Sequence, residues 1–290
     1  MLEAVPNVSE GRSREAIEAI GNAFATGVRL LDVHSDPDHH RSVFTLAGER
    51  PPLVEALLAG AARAIELVDL RLHDGVHPRV GAVDVMPLVA LSADERKAAN
   101  AAALELAARI GNELRVPVFL YGEIGDGRRP AFFRRGGLSE LMRRLESGEL
   151  EPAAGPTHID PRSGAVLVGS RAPLVAYNVE LRTDDLEAAR AIAAAVRESS
   201  GGMPGVQAIA LRLPRSGKVQ ISMNVVDLER AALHEAVERV RLEAAAQGVE
   251  VSGGELVGLV PAAVLAQADE VGVRIPGVDE TRVLERMLPL

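Results

Sequence analysis

The segment Arg71–Leu91 (RLHDGVHPRVGAVDVMPLVAL) places several reactive side-chain types directly before an apolar run. His77 belongs to a polar, glycine-containing loop, and Gly81–Leu91 is typical of a buried strand that could hold such a loop rigidly. A histidine in this position can transfer a proton near neutral pH, because its unperturbed pKa is about 6.5. The alternative is a histidine that hydrogen-bonds only within its own loop, and spacing alone leaves both interpretations open.

Arg79 follows His77 by two residues, so both side chains lie on the same side of an extended segment. A guanidinium at this point could bind a carboxylate through two parallel hydrogen bonds, or it could stabilise a charged intermediate. The alternative role for Arg79 is a structural ion pair with Asp74 or Asp84.

A second polar cluster, HSDPDHH at His34–His40, contains the side-chain types that bind divalent metals. His73, Asp74 and His77 could add to it, which makes a metal-dependent hydrolase one possible function. No fixed-spacing metal signature such as H-E-x-x-H is present, however, and HSDPDHH equally suits a turn stabilised by aspartate side chains. We therefore expect no metal.

The stretch Ser147–Gly164 is rich in glycine and proline and predicts a loop. Its second part, Gly155–Gly164, could close over a flat ligand if the loop is flexible and lies between two subdomains. A plain linker is the alternative.

Apolar periodicity predicts alternating strands and helices around these segments. The predicted elements of the first half are a short strand Leu2–Pro6, a helix capped by Ser13 that ends near Phe24, strands Val28–Val33 and Arg41–Ala47, a helix from Pro51 to about Val68, the strand Gly81–Leu91, a helix with a Ser92–Glu95 capping box that ends near Leu114, the strand Val116–Tyr121 and a helix Leu138–Leu145.

The second half has a clearer pattern, in the order βαββαβ that is typical of a ferredoxin-like unit. The first half opens in the same order. We therefore predict an α+β fold of two ferredoxin-like α/β subdomains, residues 1–170 and 174–290, flanking a ligand cleft. The predicted elements of the second half are strand Leu174–Leu181, helix Asp184–Glu198, strands Val206–Leu213 and Lys218–Val226, helix Leu228–Ala246 and strand Val249–Val251, with a turn at Gly253-Gly254-Glu255.

The composition is that of a soluble globular protein, with 47% apolar and 25% charged residues in a chain of 290. The absence of cysteine excludes disulfides and thiol nucleophiles and suits a cytoplasmic protein. A net charge of −9, dispersed arginines and 2% aromatic residues disfavour a nucleic-acid partner. We recognise no signal peptide and no segment that could span a membrane.

Several stretches, in order along nearly the whole chain, resemble the formiminotransferase domain family of folate-dependent transferases. They are VPNVSEGR (Val5–Arg12), LLDVHSDPDHHRSVFTLAG (Leu30–Gly48), HDGVHPRVGAVDVMPLV (His73–Val89), VPVFLYGE (Val116–Glu123), GPTHIDPRSGA (Gly155–Ala165), VAYNVEL (Val175–Leu181), VQISMNVVD (Val219–Asp227) and GGELVGLVP (Gly253–Pro261). No cyclodeaminase domain follows them, so the chain resembles a stand-alone member.

The resemblance implies transfer of a formimino group between N-formiminoglutamate and tetrahydrofolate, which is the co-substrate. The family's catalytic histidine corresponds to His77, a general acid/base, and the arginine of its H-P-R motif corresponds to Arg79. A homodimer is also implied. The family's folate-binding loop corresponds to Gly155, Pro156, Thr157, His158, Ile159, Asp160, Pro161, Arg162, Ser163 and Gly164.

Two positions depart from the family pattern. Val76 stands where members often have glutamate before the histidine, and His34 stands where some have an acidic residue. Asp32, Asp36, Asp38 or Asp74 could supply the missing charge, and His34, Asp36 and Asp74 are possible supporting residues. The departures leave two alternatives open, namely a formyl donor or a protein of the same fold that only binds folate or another small metabolite.

Overall fold

The computed structural model describes residues 1–288 and divides into two compact units, Met1–Ala172 and Pro173–Leu290. Both units combine helices with one β-sheet, so the predicted α+β class is confirmed. Among the described residues, none of the helices combines the length and the apolar character that a membrane crossing requires.

The first unit contains one seven-stranded sheet with helices on both faces. Its elements are β1 (Leu2–Ala4), β2 (Asn7–Val8), α1 (Arg14–Phe24), β3 (Arg29–Asp36), β4 (Arg41–Gly48), α2 (Arg50–Leu67), β5 (Val83–Val89), α3 (Arg96–Arg109), β6 (Val118–Gly122), α4 (Pro130–Arg134), α5 (Gly137–Glu146) and β7 (Val166–Arg171).

The strand order shows a ferredoxin-like core with an extension. If β1 and β2 are taken as one interrupted strand, β3, β4, β1/β2 and β5 lie side by side in antiparallel pairs, as the βαββαβ order predicts. Beyond β5 the sheet continues with β7 and then β6, both parallel to their neighbours.

Strand β7 was missed in the sequence, because the interpretation assigned no element between Gly164 and the end of the first subdomain. Its residues Val166–Ser170 are all buried. A parallel strand covered on both faces lacks the apolar–polar alternation that marks a strand in a sequence.

The first residues of two helices test the capping residues that the sequence predicts. Ser13 caps α1 as predicted, since its hydroxyl accepts from the Ala16 amide at 3.2 Å. The Ser92–Glu95 capping box was wrong, because Glu95 instead accepts from the amino terminus at 2.9 Å, and α3 begins only at Arg96 after a 3-10 turn.

Side chains of the first unit form two apolar clusters, one on each face of the sheet. Helices α1, α2 and α3 cover one face, where Phe24, Phe44 and Leu106 are fully buried. Helices α4 and α5 cover the β5–β7–β6 end of the other face, where Phe133 and Leu167 are buried. The β3–β4 end of this second face carries polar residues.

The second unit is a four-stranded antiparallel sheet in the order β11-β8-β10-β9, which confirms the ferredoxin-like prediction. Its elements are β8 (Val175–Arg182), α6 (Leu186–Val196), β9 (Val206–Leu213), β10 (Lys218–Val225), α7 (Leu233–Ala246), β11 (Glu250–Val257), α8 (Ala262–Glu270) and α9 (Leu284–Met287).

The turn predicted at Gly253-Gly254-Glu255 was wrong, because these residues lie inside β11. The ring of Tyr177 lies across Gly254, where a Cβ atom would overlap its hydroxyl. That hydroxyl donates to the Pro276 carbonyl at 2.9 Å. Glycine in this strand therefore makes room for a neighbouring ring rather than forming a turn.

Candidate active site

His77 lies in the loop before β5 and is half-buried. Its Nδ1 atom lies 2.8 Å from the Pro78 carbonyl oxygen, and its ring stacks on His39 with centroids 5.6 Å apart. A carbonyl can only accept, so Nδ1 carries the proton and Nε2 of the neutral ring carries the lone pair. The alternative interpretation was a hydrogen bond within the loop, and that bond is present. It fixes the imidazole in the tautomer that a general base requires.

The pKa of His77 is lowered well below its ordinary value. Burial is the largest cause, the guanidinium groups of Arg41 and Arg134 and the His39 ring add to it, and the Pro78 carbonyl opposes it. The imidazole is therefore neutral at neutral pH and able to accept a proton.

Arg79 holds the loop that carries His77. Its guanidinium donates to the Gly75 carbonyl at 2.8 Å and to the His73 carbonyl at 2.7 Å. The ion pair with Asp74 or Asp84 that was the alternative for Arg79 is not what orients it, because Asp74 pairs with Arg12 and Asp84 binds other partners described below. Arg79 thus braces the backbone on the His77 side of the loop.

His73 and His40 form a stacked pair beneath this loop, with centroids 4.2 Å apart. Nδ1 of His73 accepts from the Gly75 amide at 3.1 Å, and its Nε2 donates to the His40 carbonyl at 2.8 Å. Nδ1 of His40 accepts from the Gly11 amide at 3.1 Å. Both rings are therefore held in neutral tautomers by backbone groups.

Burial, opposed by the His40 carbonyl, lowers the pKa of His73 to about 4. In the unfolded chain the pKa of His73 returns to about 6.5. Below that pH the unfolded chain therefore binds a proton at His73 that the folded chain does not bind. Stability from this group is present above pH 6.5 and lost as pH falls toward 4, by at most about 3 kcal/mol.

We expect the stability difference between wild type and His73→Asn to shrink over the same pH interval, because the variant lacks this proton uptake. Urea unfolding between pH 7.5 and 4 measures the difference. A difference in unfolding free energy between the two proteins that is constant with pH would contradict the lowered pKa of His73.

Asp84 is fully buried on β5 and joins three elements. Its Oδ1 accepts from the Val80 amide at 2.8 Å, and its Oδ2 accepts from Arg41 of β4 at 2.7 Å and from Arg134 of α4. Arg41 also donates to the Asn7 side chain at 3.0 Å. Burial raises the pKa of Asp84, but the Arg134 and Arg41 guanidiniums outweigh burial and hold that pKa below its ordinary value.

Sequence reasoning missed Arg41 and Arg134 as site residues. One signal was present, since Arg41 is the lone charged residue of the predicted strand Arg41–Ala47 and Asp84 is the lone acid in the apolar run Gly81–Leu91. Charged residues at such positions need partners, but the partners lie 43 and 50 residues away in the chain.

The candidate supporting residues have distinct surroundings. The Asp36 carboxylate accepts from the amides of Asp38 and His39 at 2.7 Å each, which is the aspartate-stabilised turn considered in the sequence. His34 lies opposite Val43 in the β3–β4 register, and Asp36 lies opposite Arg41, so both share the sheet face of Arg41. Asp74 is exposed and paired with Arg12.

The stretch Gly155–Gly164 belongs to the first unit, and its end is bonded to the residues that directly follow the H-P-R motif. The Ala82 amide donates to the Ser163 carbonyl at 2.8 Å, and the Ala165 amide donates to the Val80 carbonyl at 2.9 Å. Ile159 is buried, whereas the following side chains are exposed: Thr157, His158, Asp160, Pro161 and Arg162.

Within the described part of the chain, no group of three His, Asp or Glu side chains is arranged to hold a metal ion. The polar groups that influence one another are the His77 imidazole and the Arg41–Asp84–Arg134 cluster, and the end of the 155–164 loop is bonded to Val80 and Ala82 beside them. This arrangement can accept a proton and bind an anion.

The chain matches two family models. The N-terminal subdomain of the formiminotransferase domain matches residues 1–171, and the formiminotransferase domain model matches residues 176–274. A glutamate formimidoyltransferase of Thermoplasma acidophilum is 37% identical over 99% of this chain and 97% of that protein. One from Streptococcus pyogenes is 36% identical, over 99% and 98% respectively. The formimidoyltransferase-cyclodeaminase of Rattus norvegicus is 38% identical over 92% of this chain but only 51% of that protein.

Proposed function

This chain belongs to the formiminotransferase family, and we propose that it transfers a formimino group between N-formiminoglutamate and tetrahydrofolate. Two relatives that align over almost their full length carry the name glutamate formimidoyltransferase, which supports this activity. The observation that carries the assignment to a site is the neutral His77, whose proton is fixed on Nδ1 by the Pro78 carbonyl.

Formimino transfer requires a proton to leave the attacking nitrogen of tetrahydrofolate and another to reach the departing nitrogen of glutamate. As the new C–N bond forms, His77 Nε2 takes the proton of the attacking nitrogen. As the tetrahedral adduct collapses, the imidazolium returns a proton to the glutamate nitrogen, and the old C–N bond breaks. The lowered pKa of His77 makes it a weak base at rest and a strong acid once protonated.

The 155–164 loop is proposed to bind the folate, because its end is bonded to the backbone at Val80 and Ala82, directly after the H-P-R residues, and its Thr157, His158 and Arg162 side chains are exposed. His34 and Asp36 are proposed as supporting groups on the same face as Arg41. We further propose that the protein is cytoplasmic and that it forms a homodimer. Light scattering of the purified protein would test the homodimer.

An assay with N-formiminoglutamate and tetrahydrofolate tests the activity, with release of glutamate as the readout. We expect turnover with the formimino donor and little with N-formylglutamate. Turnover with the formyl donor alone would assign a formyltransferase instead. The observation that favours this second candidate is Val76, a half-buried apolar residue where a carboxylate would help to bind a cationic donor.

A protein that only binds folate is the other alternative. Binding of 5-formyltetrahydrofolate by calorimetry, with no transfer from either donor, would support that role and contradict the proposed enzyme.

Arg79→Lys is expected to lower kcat/KM by roughly 10–100-fold, because an ammonium cannot span the two carbonyls that the guanidinium holds. The matched control is Arg71→Lys, an exposed arginine of the same segment that pairs with Asp69. Equal activities of the two variants would remove the bracing role of Arg79.

A further inference from the structure

The cluster of Asp84, Arg41 and Arg134 brings two guanidiniums to one buried carboxylate. One guanidinium would neutralise Asp84, yet two bind the same Oδ2 atom. Asp84 is fully buried, and the Arg41 and Arg134 side chains are only 10% and 15% exposed. Desolvating a surplus cation is costly unless another anion compensates it.

The donors of this cluster are incompletely used. Within the described residues, Nε of Arg134 is buried and has no hydrogen-bond partner. Buried donors without partners are rare in native structures, and those that occur often belong to functional sites or bind an ion. A guanidinium held at one edge by Asp84 still presents donors to a second carboxylate.

The cluster also lies close to the proposed base. The guanidinium charges of Arg41 and Arg134 both lower the pKa of the His77 imidazole, and the Asp84 Oδ1 atom accepts from the Val80 amide at the end of the same loop. One carboxylate therefore fixes both the guanidinium pair and the loop that carries His77.

We propose that Arg41 and Arg134 bind a carboxylate of the glutamate part of the acyl donor, and that Asp84 is the positioning residue that orients them beside His77. This inference rests on the proposed function for its ligand, an amino-acid dicarboxylate. It assigns the donor's glutamate part, rather than the folate, to the cluster.

The test uses Arg134→Met in the full chain, with Arg135→Met as the matched control because Arg135 is its exposed neighbour. We expect the KM for N-formiminoglutamate to rise at least about tenfold in Arg134→Met, as loss of a charge-assisted hydrogen bond predicts, with the KM for tetrahydrofolate unchanged. Arg134→Lys should recover part of the loss. An unchanged donor KM in Arg134→Met would overturn the proposal.

Asp84→Asn keeps an acceptor for the Val80 amide but offers no charge to the arginines, and we expect it to raise the donor KM by a similar factor. If that variant does not fold, the Arg134 pair still decides the proposal. If Asp84→Asn folds with an unchanged donor KM, Asp84 does not position the arginines.

Calorimetric binding of N-formylglutamate separates this inference from the proposed activity. Binding by wild type that is lost in Arg134→Met supports the carboxylate site even if no transfer occurs. Transfer by wild type with equal binding in both proteins overturns the site and leaves the activity standing.

Discussion

His77→Ala is expected to fold as the wild type does and to lose turnover by roughly 10²–10⁴-fold. The half-buried imidazole donates its Nδ1 proton to the carbonyl of the next residue, Pro78. This bond is local, so its loss disconnects no distant part of the chain. What the substitution removes is the Nε2 lone pair to which we assign proton acceptance during transfer. The measurement is kcat with N-formiminoglutamate and tetrahydrofolate, alongside the thermal midpoint of each protein.

The control for this variant is His234→Ala, which removes a half-buried histidine of the second unit. It should leave kcat unchanged. A loss of only a few-fold in His77→Ala would exclude the histidine as the principal acid/base.

The pH profile adds a second readout for His77. Its reactive form is neutral, so kcat/KM falls on the acidic side as the pH drops through the pKa of the free enzyme. Burial, Arg41, Arg134 and His39 lower that pKa and the Pro78 carbonyl raises it, with a net lowering. The acidic limb should therefore lie well below pH 6.5, and a limb at or above 6.5 would contradict the proposed surroundings.

Gly164→Ala is expected to lower the free energy of unfolding by about 2–5 kcal/mol and to reduce activity as well. Gly164 has a left-handed backbone with φ of +73°, and a Cβ atom there would overlap the Val80 carbonyl and approach the Gly81 Cα atom to 2.7 Å. Relief of the overlap must displace Val80 and Gly81, which directly follow the H-P-R residues. Urea unfolding and the transfer assay measure the two effects.

Gly148→Ala is a closely matched control. Gly148 has the same φ of +73°, but nothing lies within 4 Å of an added Cβ atom. It should lose only the backbone contribution of about 1–2 kcal/mol and keep full activity. If both variants were equally stable and active, the close approach of the two loops would have no role in holding His77.

The second unit was predictable in outline because its strands alternate. Gln220, Ser222 and Asn224 occupy one face of β10 while apolar residues occupy the other, and each strand is followed by a recognisable turn or helix. The first unit was predictable except at β7 and the short helix α4, since β3, β4, β5 and β6 lie near their predicted ranges. Its last central strand, β7, has no such alternation, and its neighbours β5 and β6 are distant in the chain.

The site was predictable only where its chemistry is local. His77 and Arg79 are recognisable from an unusual run of residue types, whereas the bonds of Arg79 go to backbone carbonyls, which have no sequence signature. Arg41 and Arg134 become site residues through Asp84 alone. The contacts of Asp84 with Arg41 and Arg134 depend on the order of strands in the sheet. The spacing of these residues in the sequence therefore does not predict them.

The position of β7 has a consequence for the order in which the protein can be made. It is the last strand of the first unit in the chain, but it lies between β5 and β6, which are synthesised earlier. Until it emerges from the ribosome, both neighbours expose unpaired backbone edges, which are surfaces for aggregation and chaperone binding. Ser163 and Ala165, which anchor the His77 loop, emerge immediately before β7. Neither the sheet nor the anchoring of the His77 loop can therefore be completed before residues 163–171 have been synthesised.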